Sequence, residues 1–559
     1  MDFFETITTT PEVTTTTNIF SKKKLLIVDD FESFRLSLKR MMVDIGISSI
    51  DMVQNGKLAI ASCSQQPYDI IICDFNLGEG KNGQQVLEEL RHLKLLKPNS
   101  IFIMVTAETT KEMVMGALEC QPDAYLSKPI NQAVLKKRLE NLVKQSEKLA
   151  PVKQLITKKA YKQAIEKCKD ALKNENRFSH WYEKQLCELF ILTEQYDEAK
   201  NLCNSILAAR TADWPHQMLG QVNQILGNSD QAIKNYEALF KINPNAVAAY
   251  DEIADVYLSK GDTEKAQKAI QQATNISPNT MARQQKLGKI SREIGDLDVA
   301  VNAFRYTIEL GKNSCFDCAD NYVELASSLV DLSEESDSID KQKALSETSE
   351  LFKKVNKRFT LDINTSIKID LTKARTLYFQ KNKNASNEII EKINSVYNDQ
   401  NNQLSADTKF EIGKTFFVCN HKDVAETILF QLVEEKSDDK IFVNKILAFL
   451  DEPVSQKNKN EAAIANKEGI HLYEQKEYQK AIEQFQQALE HSPRNPGLNL
   501  NLIQACLYLL QEKFSLKWLD LCEQSLFNVK HLREHHPQYA RYQKLAKPVE
   551  QWKRKAQKA

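Results

Sequence analysis

The feature that most constrains the fold is a 34-residue period in the central part of this 559-residue chain. Small residues return at that step in three registers. The registers are Gly220, Ala254 and Gly288; Gly227, Gly261 and Gly295; and Ala232, Ala266 and Ala300. A fixed step of this length is typical of stacked helix pairs, in which small residues mark the close approach of two helices. This part of the chain is therefore predicted to be an all-helical repeat array.

The period resembles that of the tetratricopeptide repeat, and Pro244 and Pro278 keep the same step. A further unit near the C-terminus carries Gly469, Ala481 and Pro493 at matching distances. The resemblance covers roughly residues 150–545 and implies a superhelix with a concave protein-binding face. We interpret the array as tetratricopeptide repeats at 150–314, degenerate helical repeats at 315–460, and a C-terminal repeat with capping helices at 461–545.

Residues 22–146 show a different pattern, in which short apolar runs alternate with helical stretches. The runs are Leu25–Val28, Ile50–Val53, Ile70–Cys73, Ile101–Val105 and Ala124–Leu126. The stretches are Phe31–Asp44, Gly56–Ser64, Gln84–Leu96, Lys111–Cys120 and Gln132–Lys144. Continuous apolar runs predict parallel strands that are covered on both faces. The sequence therefore predicts an α/β doubly wound domain with five parallel strands, and function at the carboxyl ends of the strands.

Four of these runs are followed by residues that mark a candidate site. They are Asp29 and Asp30, Asp74, Thr106 and Ala107, and Lys128 and Pro129. Parallel strands would bring these ends together, and three clustered carboxylates repel one another and favour a hard cation such as Mg²⁺. A carboxylate can attack phosphorus to form an acyl phosphate, while a metal and an ammonium group offset charge on the transferred group.

This constellation resembles the receiver (CheY-like, flavodoxin-like) domain of two-component response regulators. The resemblance implies that Asp74 is the phosphoacceptor and that Asp29, Asp30, Asp74 and the backbone carbonyl of Asn76 bind Mg²⁺. It further implies phosphoryl contacts from Thr106, Ala107 and Lys128, a switch pair of Thr106 and Tyr125, and a cis peptide at Lys128–Pro129. One departure is the loop after Asp74, where Gly78 replaces the proline of many receivers and Gly83 comes one residue late.

Together the two resemblances imply a phosphorelay response regulator. A histidine kinase or phosphotransfer protein would phosphorylate Asp74, and the array would bind an effector protein under that control. No enzymatic activity is expected beyond the receiver's own phosphoryl chemistry. Two alternatives stay open: the array acts as a phosphatase or regulator of another receiver, or the receiver serves as a phosphate sink or homodimerisation surface on a constitutive scaffold.

Composition narrows the class of partner. The chain has 75 Lys and Arg against 75 Asp and Glu, which argues against chain-wide binding to nucleic acid or membrane. Eleven cysteines without a regular framework indicate a reducing compartment. The start of the sequence lacks the pattern of a secretory signal and no long apolar run follows, so we expect a cytoplasmic protein. Residues 1–21 are Thr-rich and are expected to be a disordered tail, and residues 546–559 a basic tail.

The remaining cysteine, histidine and aromatic signals predict structural roles. Cys315 and Cys318 are expected to be buried thiols, and Ser333–Asp340 a loop. His531, His535 and His536 lack an acidic or Cys partner at fixed spacing, which argues against a metal site. The aromatic residues at repeat spacing are expected to be core: Tyr236, Tyr257, Phe304, Tyr473 and Phe485.

Overall fold

The computed structural model describes residues 19–107, 119–174, 177–335, 338–454, 456–532 and 536–556. Most of the Thr-rich tail, most of the predicted helix Lys111–Cys120, His535 and residues 557–559 therefore lie outside the described part. The chain divides into two compact units. The first runs up to Arg283 and includes Glu309–Asp317, and the second comprises Gln284–Ile308 and the residues from Cys318 onward. None of the described helices combines the length and the apolar character that crossing a membrane requires.

The predicted strands form one parallel sheet in the order β2-β1-β3-β4-β5. They are β1 (Lys24–Val28), β2 (Ser49–Val53), β3 (Ile70–Asp74), β4 (Ile101–Thr106) and β5 (Ala124–Ser127). Val28 is paired with Cys73, so β1 and β3 end side by side. Asp74 is paired with Val105, which brings the end of β4 to the same edge. The sheet confirms the predicted doubly wound architecture.

Apolar cores cover both faces of the sheet, because alternate strand residues point to opposite sides. Three helices follow the first three strands: α1 (Glu32–Ile45), α2 (Gly56–Gln65) and α3 (Gly83–His92). On one face Leu25 and Ile27 pack with Leu38 of α1. On the other face Leu26 packs with Val86 of α3. Both faces of the sheet are buried, which explains why the strands appear in the sequence as continuous apolar runs.

The helix after β5 extends further than the sequence predicts. We expected it to end near Lys144, but α4 (Gln132–Thr157) continues for 26 residues through Pro151. Its first half contributes Leu139 and other residues to the core of the sheet. Its second half contributes Leu149 and Val152 to the first core of the array. Pro151 has no backbone N–H, so the helix loses one hydrogen bond there. Burial against two cores compensates for that loss.

The array in the first unit consists of antiparallel helix pairs. Its helices are α5 (Tyr161–Asn174), α6 (Ser179–Leu192), α7 (Tyr196–Ala209), α8 (Trp214–Ile225), α9 (Ser229–Ile242), α10 (Val247–Ser259) and α11 (Thr263–Ile276). Two helices have residues in both units: α12 (Met281–Ile294) and α13 (Leu297–Gly311).

The second unit is also helical among its described residues. It contains α14 (Ala319–Glu335), α15 (Ser338–Arg358), α16 (Ile363–Phe379), α17 (Lys383–Gln400), α18 (Ala406–Val418), α19 (Lys422–Glu435), α20 (Lys440–Asp451), α21 (Gln456–Glu474), α22 (Tyr478–His491), α23 (Pro496–Glu512), α24 (Leu516–Asn528) and α25 (Tyr539–Ala556). The predicted loop Ser333–Asp340 is wrong at both ends, because α14 reaches Glu335 and α15 begins at Ser338.

The periodic small residues lie where two helices of a repeat approach closely, as the sequence predicts. A Cβ on Gly220 would lie 2.6 Å from the Tyr236 ring, and one on Gly288 would lie 2.8 Å from Phe304. Each aromatic side chain therefore fills the space that its glycine leaves. Tyr236, Phe304 and Phe485 are buried as expected, whereas Tyr257 and Tyr473 are only half-buried.

Turns between paired helices contain a residue with left-handed backbone. In the clear repeats that residue is Gly227, Gly261 or Gly295. In other pairs it is Lys159, Glu194, Lys381, Asn420 or Lys476. The same turn geometry therefore continues where the glycine signal is lost.

The cysteine prediction is wrong in part. Cys315 is half-buried and Cys318 is exposed, because the segment lies between α13 and α14 rather than inside a helix pair. Cys187 and Cys203, in contrast, are buried with their sulfur atoms 3.3 Å apart. All eleven cysteines are free thiols.

Candidate functional site

The three predicted carboxylates meet at the carboxyl edge of the sheet. One carboxylate oxygen from each of Asp29, Asp30 and Asp74 lies within 4.8 Å of the other two, and no other such group occurs in the described chain. Asp29 is 1% exposed and Asp74 5% exposed. Asp30 Oδ1 is buried and has no hydrogen-bond partner among the described residues. A compact all-oxygen donor set with an unsatisfied buried oxygen fits Mg²⁺.

Lys128 supplies the positive charge opposite these acids. Its Nζ lies 2.8 Å from Asp29 Oδ2 and 2.9 Å from Asp74 Oδ2. The same nitrogen lies 4.1 Å from the centre of the Phe34 ring. Burial alone would lower the pKa of Lys128, but its hydrogen bonds to Asp29 and Asp74 raise it. The Lys128–Pro129 peptide is cis, as the family resemblance implies.

Asp74 is poised between two influences on its charge. Burial raises its pKa from 3.8 to about 6, and Asp29 adds to that effect, while Lys128 opposes both. The carboxylate is therefore mainly ionised near neutral pH and remains able to act as a nucleophile.

The remaining predicted residues lie at the same edge or beside it. Thr106 is the last residue of β4 and is 2% exposed, whereas Ala107 is exposed. Tyr125 lies in β5 and packs against the core that includes Phe102 and Met104. Asn76 is exposed in the loop after Asp74. The roles implied for Asn76, Thr106, Ala107 and Tyr125 stay predictions.

Two further side chains organise the acidic edge and were missed by sequence reasoning. Arg35 on α1 donates from Nη1 to the carbonyl oxygens of Asp29 at 2.7 Å and of Asp30 at 3.0 Å. Phe34 contacts Lys128 through its ring. Both residues follow the acidic pair in the first turns of a helix, which is the only signal that the sequence contains for them.

The loop after Asp74 is long but well ordered by hydrogen bonds. Gly78 and Gly80 adopt positive φ values of 69° and 107°. Asn82 and Gln85 form a reciprocal capping box at the start of α3. The Gly83 amide donates to the Phe75 carbonyl at 2.8 Å, and a Cβ on Gly83 would lie 2.3 Å from the Asp74 carbonyl oxygen. The first turn of α3 therefore packs directly against the Asp74 backbone.

A cavity of about 480 Å³ lies beside the acidic edge. Its lining is mainly apolar and includes Phe34, Met41, Pro129 and Ile130, together with Lys128. The cavity therefore places an apolar surface next to the ammonium group that contacts Asp74.

The C-terminal histidines have an acidic partner that the sequence did not reveal. His531 Nε2 lies 3.0 Å from Asp451 Oδ1, and His536 Nε2 lies 2.7 Å from Asp451 Oδ2. Asp451 lies 80 residues before His531, which is why local spacing gave no hint of it. These residues do not form a metal-ligating group among the described residues.

Comparisons with known proteins agree with this geometry. A model of the response regulator receiver domain matches residues 25–140, and models of the tetratricopeptide repeat match residues 226–289 and 462–495. Chemotaxis protein CheY-3 of Vibrio cholerae serotype O1 is 30% identical over 124 residues, which are 21% of this chain and 89% of that protein.

Further proteins are similar to parts of this chain. Chemotaxis protein CheY of Pseudomonas aeruginosa is 29% identical over 118 residues, which are 21% of this chain and 94% of that protein. The solved structure of Vibrio cholerae CheY4 shares 26% identity, covers 22% of this chain and 98% of its own, and gives a TM-score of 0.20. The structure of MamA shares 22% identity, covers 28% of this chain and 93% of its own, and gives a TM-score of 0.25.

Proposed function

Because this chain belongs to the response regulator family, with a receiver domain ahead of tetratricopeptide repeats, we propose that phosphorylation of Asp74 controls protein binding by the array. The observation that carries the proposal is the meeting of Asp29, Asp30, Asp74 and Lys128 at one edge of the sheet. The donor would be a histidine kinase or phosphotransfer protein. The apolar cavity beside Lys128 is a surface on which such a donor can dock.

The proposed transfer step uses the carboxylate of Asp74 and the ammonium group of Lys128. A carboxylate oxygen of Asp74 attacks the phosphorus of a phosphohistidine, an O–P bond forms, the P–N bond breaks, and the imidazole leaves with its electron pair. Lys128 already contacts Asp74 Oδ2 and offsets negative charge on the arriving phosphoryl oxygens. Mg²⁺ bound by Asp29, Asp30, Asp74 and the Asn76 carbonyl would supply further positive charge at the same place.

The receiver connects to the array through a rigid element. Helix α4 is continuous from Gln132 to Thr157 and is buried on the receiver core at Leu139 and on the array core at Leu149. A shift of the receiver end of this helix is therefore transmitted to the array rather than absorbed by a linker. In the account proposed here, Thr106 and Tyr125 respond to the phosphoryl group, and the array changes its affinity for an effector protein.

The cysteines bear on the compartment in which the protein works. The eleven free thiols fit a reducing compartment, so we place the protein in the cytoplasm. No catalytic activity is proposed beyond phosphorylation and dephosphorylation of Asp74.

A direct test uses acetyl phosphate as donor, with the mass of the intact protein and of its proteolytic peptides as readouts. With Mg²⁺, the wild-type chain is expected to gain the mass of one phosphoryl group on the peptide that contains Asp74. Asp74→Asn is expected to gain none, and chelation of Mg²⁺ is expected to abolish the gain. The matched control is Asp51→Asn, which changes an exposed aspartate of β2 outside the acidic edge. An unmodified wild type, or equal modification of Asp74→Asn, would refute the proposal.

A further inference from the structure

Within the first unit, the described receiver residues outside α4 contact the array at two places. The first contact involves the loop after Asp74 and the start of α3, which meet the segment Glu309–Asp317. The second involves Glu119, which lies shortly before β5 and meets the start of α12. We call these two contacts together the receiver–array interface.

The first contact satisfies carbonyl groups at the end of a helix. Helix α13 ends at Gly311, so the carbonyls around its C-terminus lack partners within the helix. Gln85 Nε2 donates to the carbonyls of Leu310 at 2.9 Å and Lys312 at 3.1 Å. Lys81 Nζ donates to the Asn313 carbonyl. A cation and an amide donor are what the C-terminal end of a helix attracts.

The first contact is also reciprocal and partly apolar. Asn313 Nδ2 donates back to the Gly80 carbonyl at 3.1 Å, and Asn313 has a left-handed backbone with φ 70°. His92 at the end of α3 meets Phe316 edge to face at 5.6 Å. The receiver loop and the array segment thus each donate hydrogen bonds to the other. These bonds fix the position of the receiver loop.

The second contact contains a buried arginine. Arg283 is 5% exposed, and its Nη1 lies 3.1 Å from Glu119 Oε2. The same guanidinium pairs with Asp251 at 2.7 Å and donates to the Ser277 carbonyl at 3.0 Å. Glu119 also accepts a hydrogen bond from Thr280. A receiver carboxylate thus completes the partners of an arginine that the array buries.

Both contacts are adjacent to residues that take part in the proposed phosphorylation of Asp74. Lys81 and Gln85 flank Gly83, which packs against the Asp74 carbonyl. Glu119 lies between β4, which ends in Thr106, and β5, which contains Tyr125. The interface coexists with the ion pair between Lys128 Nζ and Asp74 Oδ2 at 2.9 Å, and a phosphoryl group on Asp74 would remove the carboxylate charge on which that pair depends.

From these positions we infer that the receiver–array interface stabilises the unphosphorylated receiver and is released by phosphorylation of Asp74. This inference rests on the proposed function and adds to it the device that couples the two domains. Coupling of this kind is reciprocal. If phosphorylation weakens the interface by some factor, loss of the interface must favour the phosphorylated state by the same factor.

The test measures the affinity of the full-length chain for beryllofluoride with saturating Mg²⁺, followed by the bound fluorine signal in ¹⁹F NMR. Two variants weaken the interface without touching the acidic edge. Glu119→Gln keeps the shape and the acceptor oxygen but removes the charge opposite Arg283. Lys81→Ala with Asn313→Gly removes two donors of the first contact and leaves those of Gln85 in place, and glycine tolerates the left-handed backbone of residue 313. The matched control is Lys57→Ala, on the exposed surface of α2.

Both interface variants are expected to bind beryllofluoride about 5- to 20-fold more tightly than the wild type, within the usual range of allosteric coupling. The control is expected to equal the wild type. In the wild type, saturating beryllofluoride is expected to speed amide hydrogen exchange in residues 309–317. Equal or weaker binding by the interface variants, or unchanged exchange in the saturated wild type, would overturn the inference alone. A wild type that gives no bound fluorine signal would overturn the proposed function and this inference with it.

Discussion

The ammonium nitrogen of Lys128 lies 2.9 Å from Asp74 Oδ2 and at the same time 2.8 Å from Asp29 Oδ2. One cation thus neutralises part of the charge of two buried carboxylates whose mutual repulsion would otherwise oppose both ionisation and phosphoryl transfer. In the proposed mechanism, the ion pair between Lys128 and Asp74 supports phosphoryl transfer to Asp74.

Replacement of Lys128 by alanine is therefore expected to slow phosphorylation of Asp74 by acetyl phosphate at least about 100-fold, since it removes a charge that acts on the transferred group. Lys128→Arg is expected to recover only part of the rate, because a planar guanidinium cannot replace the compact ammonium between two carboxylates. The rate of mass gain measures both. A rate for Lys128→Ala within twofold of the wild type would contradict this role.

Mg²⁺ binding is expected to weaken in acid. Burial raises the pKa of Asp74 to about 6 in the metal-free protein, so a proton competes with the metal below that pH. From the pKa, the dissociation constant should rise about tenfold between pH 7 and pH 5. Isothermal titration calorimetry at the two values measures this change. The Asp74→Asn variant should bind more weakly but with a smaller pH dependence, and an equal dependence would assign the proton to another group.

The small residues of the array are matched in size to the residue sixteen positions later. Gly220 faces Tyr236, whereas in the next repeat the buried pair is Ala254 and Ile270. Gly220→Ala should therefore reduce the free energy of unfolding by about 1–3 kcal/mol through overpacking against the Tyr236 ring. Denaturant unfolding of the full chain measures the loss.

Size matching also predicts a rescue. Adding Tyr236→Ile to Gly220→Ala reproduces the combination of the next repeat and should recover part of the lost stability. Gly227→Ala is the contrasting variant, because no atom lies within 4 Å of its Cβ and only the φ of 76° opposes it. It should cost about 1 kcal/mol, and Tyr236→Ile should not rescue it. Equal behaviour of the two glycines would contradict the packing explanation.

Asp331 in the second unit pairs with two guanidinium groups, that of Arg292, which is half-buried, and that of Arg375, which is buried. Arg292 Nε lies 2.7 Å from its Oδ2, and Arg375 contacts its Oδ1. Burial alone would raise the pKa of Asp331, but the charges of Arg292 and Arg375 lower it below 3.8. Its stabilising effect is therefore present above the ordinary pKa of a carboxyl and is lost as the pH falls below it.

Asp331→Asn should reduce the free energy of unfolding at pH 7 by about 3 kcal/mol, because it removes the carboxylate that Arg292 and Arg375 share and leaves Arg292, among the described residues, only its ion pair with Glu324. Its stability should also vary less with pH below 4 than that of the wild type. Urea unfolding at pH 7 and pH 3 measures both effects. The matched control is Glu350→Gln, an exposed partner of Lys353, which should leave the stability unchanged. Equal effects of the two variants would remove the special role of Asp331.

The sequence revealed those features that follow from local pattern. Continuous apolar runs placed the five strands, and residues at the strand ends placed Asp29, Asp30, Asp74 and Lys128 at one edge. The period of small residues revealed the central repeats, whose turns use glycine, and the C-terminal repeat, whose turn uses Lys476. Turns at Lys381 and Asn420 have the same left-handed backbone without glycine, which is why the repeat is hard to see there.

Features that depend on distant partners were not predictable. The end of α4 was missed because Pro151 indicates a helix boundary, whereas burial of Leu149 and Val152 on the array continues the helix. The contacts of Gln85 with Leu310 and of Glu119 with Arg283 join residues 225 and 164 positions apart. Neither side of such a pair differs locally from an ordinary surface residue.

Whether phosphorylation of Asp74 controls binding by the array is tested most directly by a quantitative pull-down from a cell lysate, with the full-length chain as bait. Three baits are compared: wild type with Mg²⁺ and beryllofluoride, untreated wild type, and Asp74→Asn with Mg²⁺ and beryllofluoride. The account predicts at least one protein whose recovery changes only on the beryllofluoride-treated wild type. Identical recovery of every captured protein on all three baits would contradict the claim that phosphorylation of Asp74 controls binding by the array.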